Sequence, residues 1–547
     1  MDLWERLTSK DALTRPQAVL DSQGHTECSR RDWVDAARSV AGALRSLGVR
    51  EGDLVACVLT NSRSALIGAL GVWFAGAAIA SLPIIARGMS RQEYLSQLGR
   101  MQSRTGSQLL LLERPLLEAL EGESGLSDRA AAFEDLVGSG RRGILSPPAL
   151  DAAAFVQFSS GSTDEPKGAV LTPRAIGNQV LALAERLELD ERHDRVVSWL
   201  PMSHDMGFFG WLTCWAHGIP HFATAPDRFL GAPQSWLDDC ADYGATVTSV
   251  APLALQLAAR VEQVRPSRRR VSLRACIVGG EPIDWTTISL AVKALAPRGL
   301  TGEAVTPAYG LAEATLAVTA GSPGHAPQVI HVDGAALVQG EIRRASAEDQ
   351  NSQPLVSNGL PLRGSKVRID QPSLDGVMGE ICVSSPSLAS GYLNEPKRTE
   401  ERFVGDELQT GDGGFVIDGE LYVTGRLDDV LILGARNVHA RGIELRLERE
   451  PRFRRGRIAI VDLAGTRGRG RFILVAETEP SITDLEALAD DARALVWRVA
   501  GLPLDECLFL PRNQFPRTPT GKPKRYRCRE LAGRRTPGEI RIAFSKT

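Results

Sequence analysis

The sequence predicts a layered α/β protein of at least two domains, a large N-terminal one and a smaller α+β one after about residue 427. Three observations predict it. The chain has 547 residues, more than one hydrophobic core normally serves. Helical and strand patterns alternate from about residue 31 to residue 278, as in sheets built largely of parallel strands. Beyond Gly379 the texture changes to short strands separated by turns, and after Gly425-Arg426 a fresh α+β pattern begins.

Taken in order, Arg31–Leu47 places Trp33, Ala36, Val40 and Leu44 at helical spacing, and Gly48 reads as its stop. Leu54–Leu59 is an apolar run of strand length. Ala65–Ala86 carries no charge and is long enough to span a bilayer. It is rich in Gly and Ala, contains Pro83 and stands alone, so it reads as a buried helix followed by a core strand. Strands are expected at 153–158, 196–200, 246–250 and 275–278, with helices at 175–187, 236–243 and 252–264. Strands at 380–383, 415–417 and 421–424 suggest a small β subdomain over about 360–427. Strands at 458–461 and 472–477 belong to the C-terminal domain, 428–547. The stretch 321–358 reads as a long irregular connection, of the kind that usually carries function.

Composition excludes several classes. The apolar fraction is 43%, the charged fraction 24% and the net charge −2, so nothing draws the whole chain to nucleic acid, and no membrane span is expected. The eight cysteines form no CxxC or Cys/His cluster, which points away from zinc and from a disulfide framework and suits a reducing cytoplasm. Residues 1–6 lack the layout of a signal peptide. The charge is uneven: residues 431–547 hold 24 Lys/Arg against 14 Asp/Glu. A net +10 there is either an Arg-rich solvated surface or a docking face for an acidic partner.

The strongest local signal is Phe158-Ser159-Ser160-Gly161-Ser162-Thr163-Asp164-Glu165-Pro166-Lys167-Gly168. A strand runs into a loop of hydroxyls and glycine with one lysine. Glycine lets backbone N–H groups approach phosphate oxygens, hydroxyls add donors, and Lys167 adds charge. The spacing is not GxxxxGK[ST], so this is not a Walker loop.

This loop resembles the phosphate-binding loop of the adenylate-forming superfamily of acyl-CoA synthetases, nonribosomal adenylation domains and luciferases. Tyr309-Gly310-Leu311-Ala312-Glu313, Thr410-Gly411-Asp412, Gly425-Arg426-Leu427-Asp428 and Pro516-Arg517-Thr518-Pro519-Thr520-Gly521-Lys522 are similar to that family's later motifs, in the same order. Trp199–Gly207, with His204-Asp205-Met206-Gly207, and Gly434–Asn437 are most like the fatty acyl-AMP ligases. The resemblance implies an N-terminal domain of two α/β subdomains plus a small β-barrel, followed by a mobile α+β lid. It implies ATP and Mg²⁺, a carboxylic acid substrate, and an acyl carrier protein with phosphopantetheine, or coenzyme A, as acceptor. In the fatty acyl-AMP ligases a segment placed like His331–Leu337 is thought to hinder the rotation that admits coenzyme A.

The resemblance also implies roles. Lys522 bridges carboxylate and α-phosphate. Asp412 and Arg426 contact the ribose. Glu313, with Thr163, holds the metal. Gly279-Gly280-Glu281-Pro282 lies along the adenine. Ser159, Ser160, Gly161, Ser162, Thr163 and Lys167, with Tyr309, Gly310, Leu311 and Ala312, complete the nucleotide site, and Asp428 is the hinge. His204 sits where acyl and phosphate sites meet, or is structural. Asp205, Met206, Gly207, Phe208 and Trp211 are expected to line the acyl pocket, although Phe208 and Trp211 equally suit a buried helix face. The chain departs from the pattern at Thr172-Pro173, where many relatives have His after Thr, at Val278-Gly279 and at Ala251-Pro252-Leu253-Ala254. These changes, and the bulky rings after His204, suggest a short or modified acid.

Overall fold

In the computed structural model the described residues are 3–9, 16–21, 24–85, 89–120, 129–140, 143, 145–158, 166–370, 378–433, 436–463, 471–517, 523–534 and 538–544. The first long helix, Arg30–Ser46, starts at Ser29, whose hydroxyl accepts from the Asp32 N–H while the Asp32 carboxylate accepts from the Ser29 N–H. This reciprocal cap satisfies two donors that a helix start leaves orphaned. Trp33, Val34, Ala37, Val40, Ala41 and Leu44 form its buried face, and Gly48 takes φ +89° after it. The uncharged stretch resolves as expected, into a buried helix, Arg63–Phe74, and a fully buried strand, Ala78–Leu82. Among the described residues no helix is long and apolar enough to cross a membrane.

Two large sheets make the N-terminal part. A six-stranded sheet runs Ala130–Ala132, Leu110–Leu112, Leu54–Val58, Ala78–Leu82, Phe155–Phe158, Gly168–Leu171, parallel until the last pair. A nine-stranded sheet has Val305–Gly310, Ala275–Val278, Val247–Val250, Val196–Ser198, His221–Thr224 and Pro16–Asp21 in parallel through its middle. Their strands are apolar on both faces because helices cover both. The helix Asp205–His217 packs between the sheets. Phe208, Phe209, Trp211 and Trp215 on it meet Trp33, Trp73 and Phe155 in one aromatic core.

The small β subdomain is a five-stranded antiparallel sheet, Lys366–Asp370, Gly379–Ser384, Glu407–Ile417, Phe403–Val404 and Glu420–Arg426. The C-terminal part holds a four-stranded sheet, Phe453–Leu463, Arg471–Thr478, Glu506–Phe509 and Ile540–Ala543, with the helix Leu485–Ala500 against it. The stretch 321–358 corrects the expectation of an irregular connection. It forms an antiparallel pair, Val329–Asp333 with Ser352–Val356, enclosing the helix Gly334–Val338. Val338 enters the hydrophobic core of the C-terminal part, and Arg446 donates to the Asn351 side chain at 3.1 Å. Runs of only five residues gave too little periodicity to reveal the strands.

One buried histidine carries a stability prediction. His221 is 1% exposed between two parallel strands, and burial lowers its pKa to about 4. The unfolded chain therefore binds a proton near pH 6.5 that the folded chain refuses. Stability from this site is complete above pH 6.5 and is lost as pH falls toward 4, by about 3 kcal/mol. His221→Leu should flatten the fall in urea midpoint between pH 6.5 and 4.5; an unchanged slope would reject this account.

Candidate nucleotide and acyl site

Strand pairing builds the first half of the site. Asp412 on Glu407–Ile417 lies directly opposite Arg426 on Glu420–Arg426, so the Arg426 Nη1 reaches the Asp412 Oδ1 at 3.3 Å. Tyr309, at the end of Val305–Gly310, donates its hydroxyl to the other oxygen at 2.7 Å. Burial, and then the Asp412 charge, push the Tyr309 hydroxyl pKa well up, so it stays a donor. Gly411 turns the strand with φ +73°. A Cβ there would stand 3.0 Å from the Arg402 Nη1 and 3.1 Å from the Arg426 Nη2. Two guanidinium groups thus lie over a backbone position that only glycine leaves open. Glu380 completes the corner, accepting from the Gly411 N–H at 2.7 Å and lying 3.5 Å from Arg402.

Glu313 sits in the short turn Ala312–Ala314. The turn ends at Thr315, fully buried with φ +68°, a costly conformation for a β-branched residue. Its hydroxyl donates to the Ser387 carbonyl at 2.7 Å, which helps hold it. Gly310 allows the chain to double back here, since a Cβ would fall 1.8 Å from the Leu316 oxygen. Leu311 packs on the small β core and Ala312 on the main core. Tyr392 donates to the Glu313 Oε1 at 2.8 Å, and the Lys167 Nζ lies 6.0 Å from the Tyr392 ring centroid. Burial, and next the charge of Arg398, lower the Lys167 pKa. Arg398, Arg402 and Arg426, with Glu313 as the opposing charge, all act on Lys167, a concentration of cations suited to a polyphosphate. Among the described residues no group of three or more His, Cys, Asp or Glu side chains gathers to hold a metal. A single carboxylate suits Mg²⁺, which keeps water and phosphate oxygens for most of its shell.

The second half follows the strand Ala275–Val278. Gly279 approaches the Ala308 carbonyl, 3.0 Å from where a Cβ would be. Gly280 has φ +77°, and its Cβ would meet the Met206 Sδ at 3.2 Å. The Glu281 carboxylate accepts from the Leu253 N–H at 3.2 Å, and Pro282 lines a small cleft shared with His439 and Arg441. His204 precedes the helix Asp205–His217 at its cap position. Burial lowers its pKa against the opposing charge of Asp205, so the imidazole is neutral at neutral pH. Asp205 and Met206 are half-buried. Gly207 packs so closely on Pro201 that a Cβ would lie 2.2 Å from its oxygen. Phe208 and Trp211 are 0% and 1% exposed within the aromatic core, the placement of a buried helix face.

Ser159, Ser160, Gly161, Ser162, Thr163, Lys522 and the Asp428 side chain lie outside the described residues. What flanks them is described. Phe155–Phe158 enters the Ser/Thr loop and Gly168–Leu171 leaves it, paired antiparallel. The residues flanking Lys522 are held together by an Arg517–Pro523 bridge and by the Lys524 N–H on the Pro516 carbonyl at 3.0 Å. Burial, and next the charge of Arg457, push the Arg517 pKa down.

Arg402, Arg398, Glu380 and Tyr392 escaped the sequence reading. A Gly391-Tyr392 pair just before Pro396, the first residue of a helix, was the available signal. Arg402→Met should lower adenylation kcat/KM about tenfold, worth about 1.4 kcal/mol, mainly through a higher KM for ATP. Unchanged ATP kinetics would remove Arg402 from the site.

A carboxylate held by Tyr309 and Arg426, a cluster of cations and a glycine-lined cleft at the carboxyl ends of parallel strands form an arrangement suited to a nucleotide. A family model for AMP-binding enzymes matches residues 8–393, and the chain belongs to that family. It is 28% identical over 535 residues to the 4-hydroxyphenylalkanoate adenylyltransferase of Mycobacterium marinum, covering 90% of this chain and 84% of that protein. It is 30% identical over 400 residues to the medium-chain-fatty-acid–acyl-carrier-protein ligase JamA of Moorena producens, covering 69% and 67%. It superposes with TM-score 0.85 on a fatty acyl-adenylate ligase structure from a study of the E. coli and L. pneumophila enzymes, at 25% identity over 97% of each chain.

Proposed function

We propose that this protein activates a carboxylic acid with ATP and passes the acyl group to the phosphopantetheine thiol of an acyl carrier protein, in polyketide, nonribosomal-peptide or lipid assembly. The observation that carries this reading is the Tyr309–Asp412–Arg426 cluster facing Lys167, Glu313 and the Gly279–Pro282 cleft. In the first step a carboxylate oxygen attacks the α-phosphorus and the bond to pyrophosphate breaks. In the second the thiol sulfur attacks the acyl carbon and AMP leaves. Catalysis of the first step is positioning and charge neutralisation. Asp412 accepts from the ribose hydroxyls, with Arg426 beside it. Lys167 and the Ser159–Thr163 loop receive phosphate oxygens. Lys522 bridges carboxylate and α-phosphate. Bound Mg²⁺ would screen the phosphate charge, held by Glu313 and by Thr163. His204, Asp205, Met206 and Gly207 border the acyl group, and Phe208 and Trp211 close the far end of its pocket.

The domain division falls at 427/428, with Asp428 absorbing the lid rotation. The 321–358 hairpin, joined to the C-terminal core through Val338, favours a carrier protein over coenzyme A, because it limits the lid to less than the full turn that would admit coenzyme A. The cysteine pattern supports a cytoplasmic setting. The similarity to a 4-hydroxyphenylalkanoate adenylyltransferase supports a short or aromatic acid. The test is mass spectrometry of products from Mg-ATP, coenzyme A, a holo carrier protein and acids from acetate to palmitate with arylalkanoates added. Acyl-AMP and acyl-carrier without acyl-CoA is expected. Abundant acyl-CoA would make the protein a CoA synthetase, and no acyl-AMP from any acid would refute the reading.

A further inference from the structure

The C-terminal part contains a buried charge network that the two-step reaction does not by itself require. Arg525 begins the helix Arg525–Gly533, three residues after Lys522. Its Nε contacts the Asp429 carboxylate at 2.7 Å. Its Nη1 and Nη2 reach the two Glu444 oxygens at 2.6 and 2.7 Å, and Nη1 also donates to the Ile460 carbonyl at 3.0 Å. Glu444 is 0% exposed and accepts the Ile460 N–H at 2.8 Å. Asp429 follows the hinge residue Asp428 in the turn Leu427–Asp429. One guanidinium thus links the hinge turn, the helix Ala440–Leu447, the strand Phe453–Leu463 and the exit of the Lys522 loop. The entrance of that loop is pinned separately. The Phe515 N–H donates to the Glu477 Oε1 at 2.7 Å, and Arg454 and Arg457 clasp this fully buried carboxylate at 2.7 and 2.8 Å.

We propose that Arg525, gripped by Asp429 and Glu444, is a positioning residue that ties the hinge turn to the helix start three residues after Lys522. Parting Asp429 from Arg525 would strip a buried network of one of its charges. The lid rotation is therefore confined to the backbone up to residue 428, and Asp429 travels with the lid. The angle at the hinge then sets the position of Lys522 directly, where an error near 1 Å costs about a hundredfold in rate. The inference rests on the reading that Lys522 serves adenylation. In the transfer step the bond to pyrophosphate is already broken, so the register of Lys522 no longer matters there.

The test separates the half-reactions in the full-length protein. Asp429→Asn leaves Arg525 paired with Glu444, so folding is preserved. It should lower kcat for adenylation, followed by pyrophosphate exchange, at least tenfold, with the KM for ATP and acid unchanged. Transfer from supplied acyl-AMP to holo carrier protein should stay within twofold of wild type. Arg525→Lys, which keeps the charge but loses the fork, should show the same split. Equal losses in both steps, or unaltered adenylation, would overturn the proposal. Lys522→Ala run in parallel tells the two ideas apart: full adenylation without Lys522 would sink the underlying reading, whereas its loss beside an unimpaired Asp429→Asn would sink only the coupling.

Discussion

Asp412→Ala is expected to lower kcat/KM for adenylation by roughly 10²- to 10⁴-fold. The wild-type carboxylate holds the Tyr309 hydroxyl at 2.7 Å and Arg426 at 3.3 Å, and only 15% of the side chain is exposed. Its remaining lone pairs are those proposed to accept the ribose hydroxyls. Hydrogen bonds to a charged acceptor contribute about 1.5–3 kcal/mol each, and removing both ribose hydrogen bonds together gives the range stated. The substitution also strands a buried phenol and leaves positive charge near Gly411 less compensated. Pyrophosphate exchange measures the effect. Asp412→Asn should recover part of the loss, because its amide oxygen still accepts one bond. A fall below tenfold for the alanine variant would take Asp412 out of nucleotide binding.

Lys522→Ala is expected to reduce adenylation by about 10²- to 10³-fold, the usual effect of removing one preorganised group that faces developing charge. Transfer from supplied acyl-AMP to the carrier should fall no more than a few-fold. The asymmetry follows from the chemistry. In the first step negative charge builds on phosphoryl oxygens beside a carboxylate nucleophile, and a cation between them lowers the barrier. In the second step the thiol attacks the acyl carbon, the acyl C–O bond to AMP breaks, and the α-phosphorus is no longer the centre under attack. Rapid-quench assays of each step make the comparison, and equal losses in both would show that Lys522 acts by holding the lid together.

Where periodicity was long the elements were readable. The helix Pro252–Val264 and the strand Ala275–Val278 lie where the apolar pattern and the flanking turn residues put them. Ala65–Ala86 could be assigned to a helix and a strand because its glycines and Pro83 interrupt any continuous span. The break occurs at Ala75-Gly76, with Gly76 at φ +84°. The hairpin within 321–358 was not readable. Its strands are five residues long, and its helix owes its burial to Val338 reaching a core built more than 90 residues later in the chain.

By itself the sequence determined the α/β class, the order of the motifs, and the residue types that an adenylating site needs, since these depend on local spacing and on the chemistry of single side chains. Tertiary structure decided which groups meet. Asp412 faces Arg426 because of strand register, and Tyr309 joins them from a strand 103 positions away. Arg402 and Glu380 enter the site through the turn at Gly411. The aromatic residues after His204 went into the core rather than onto a surface because Trp33, Trp73 and Phe155 come from elements that converge only when the two sheets pack. Contacts of that kind are set by the packing of distant segments, to which no local pattern is sensitive.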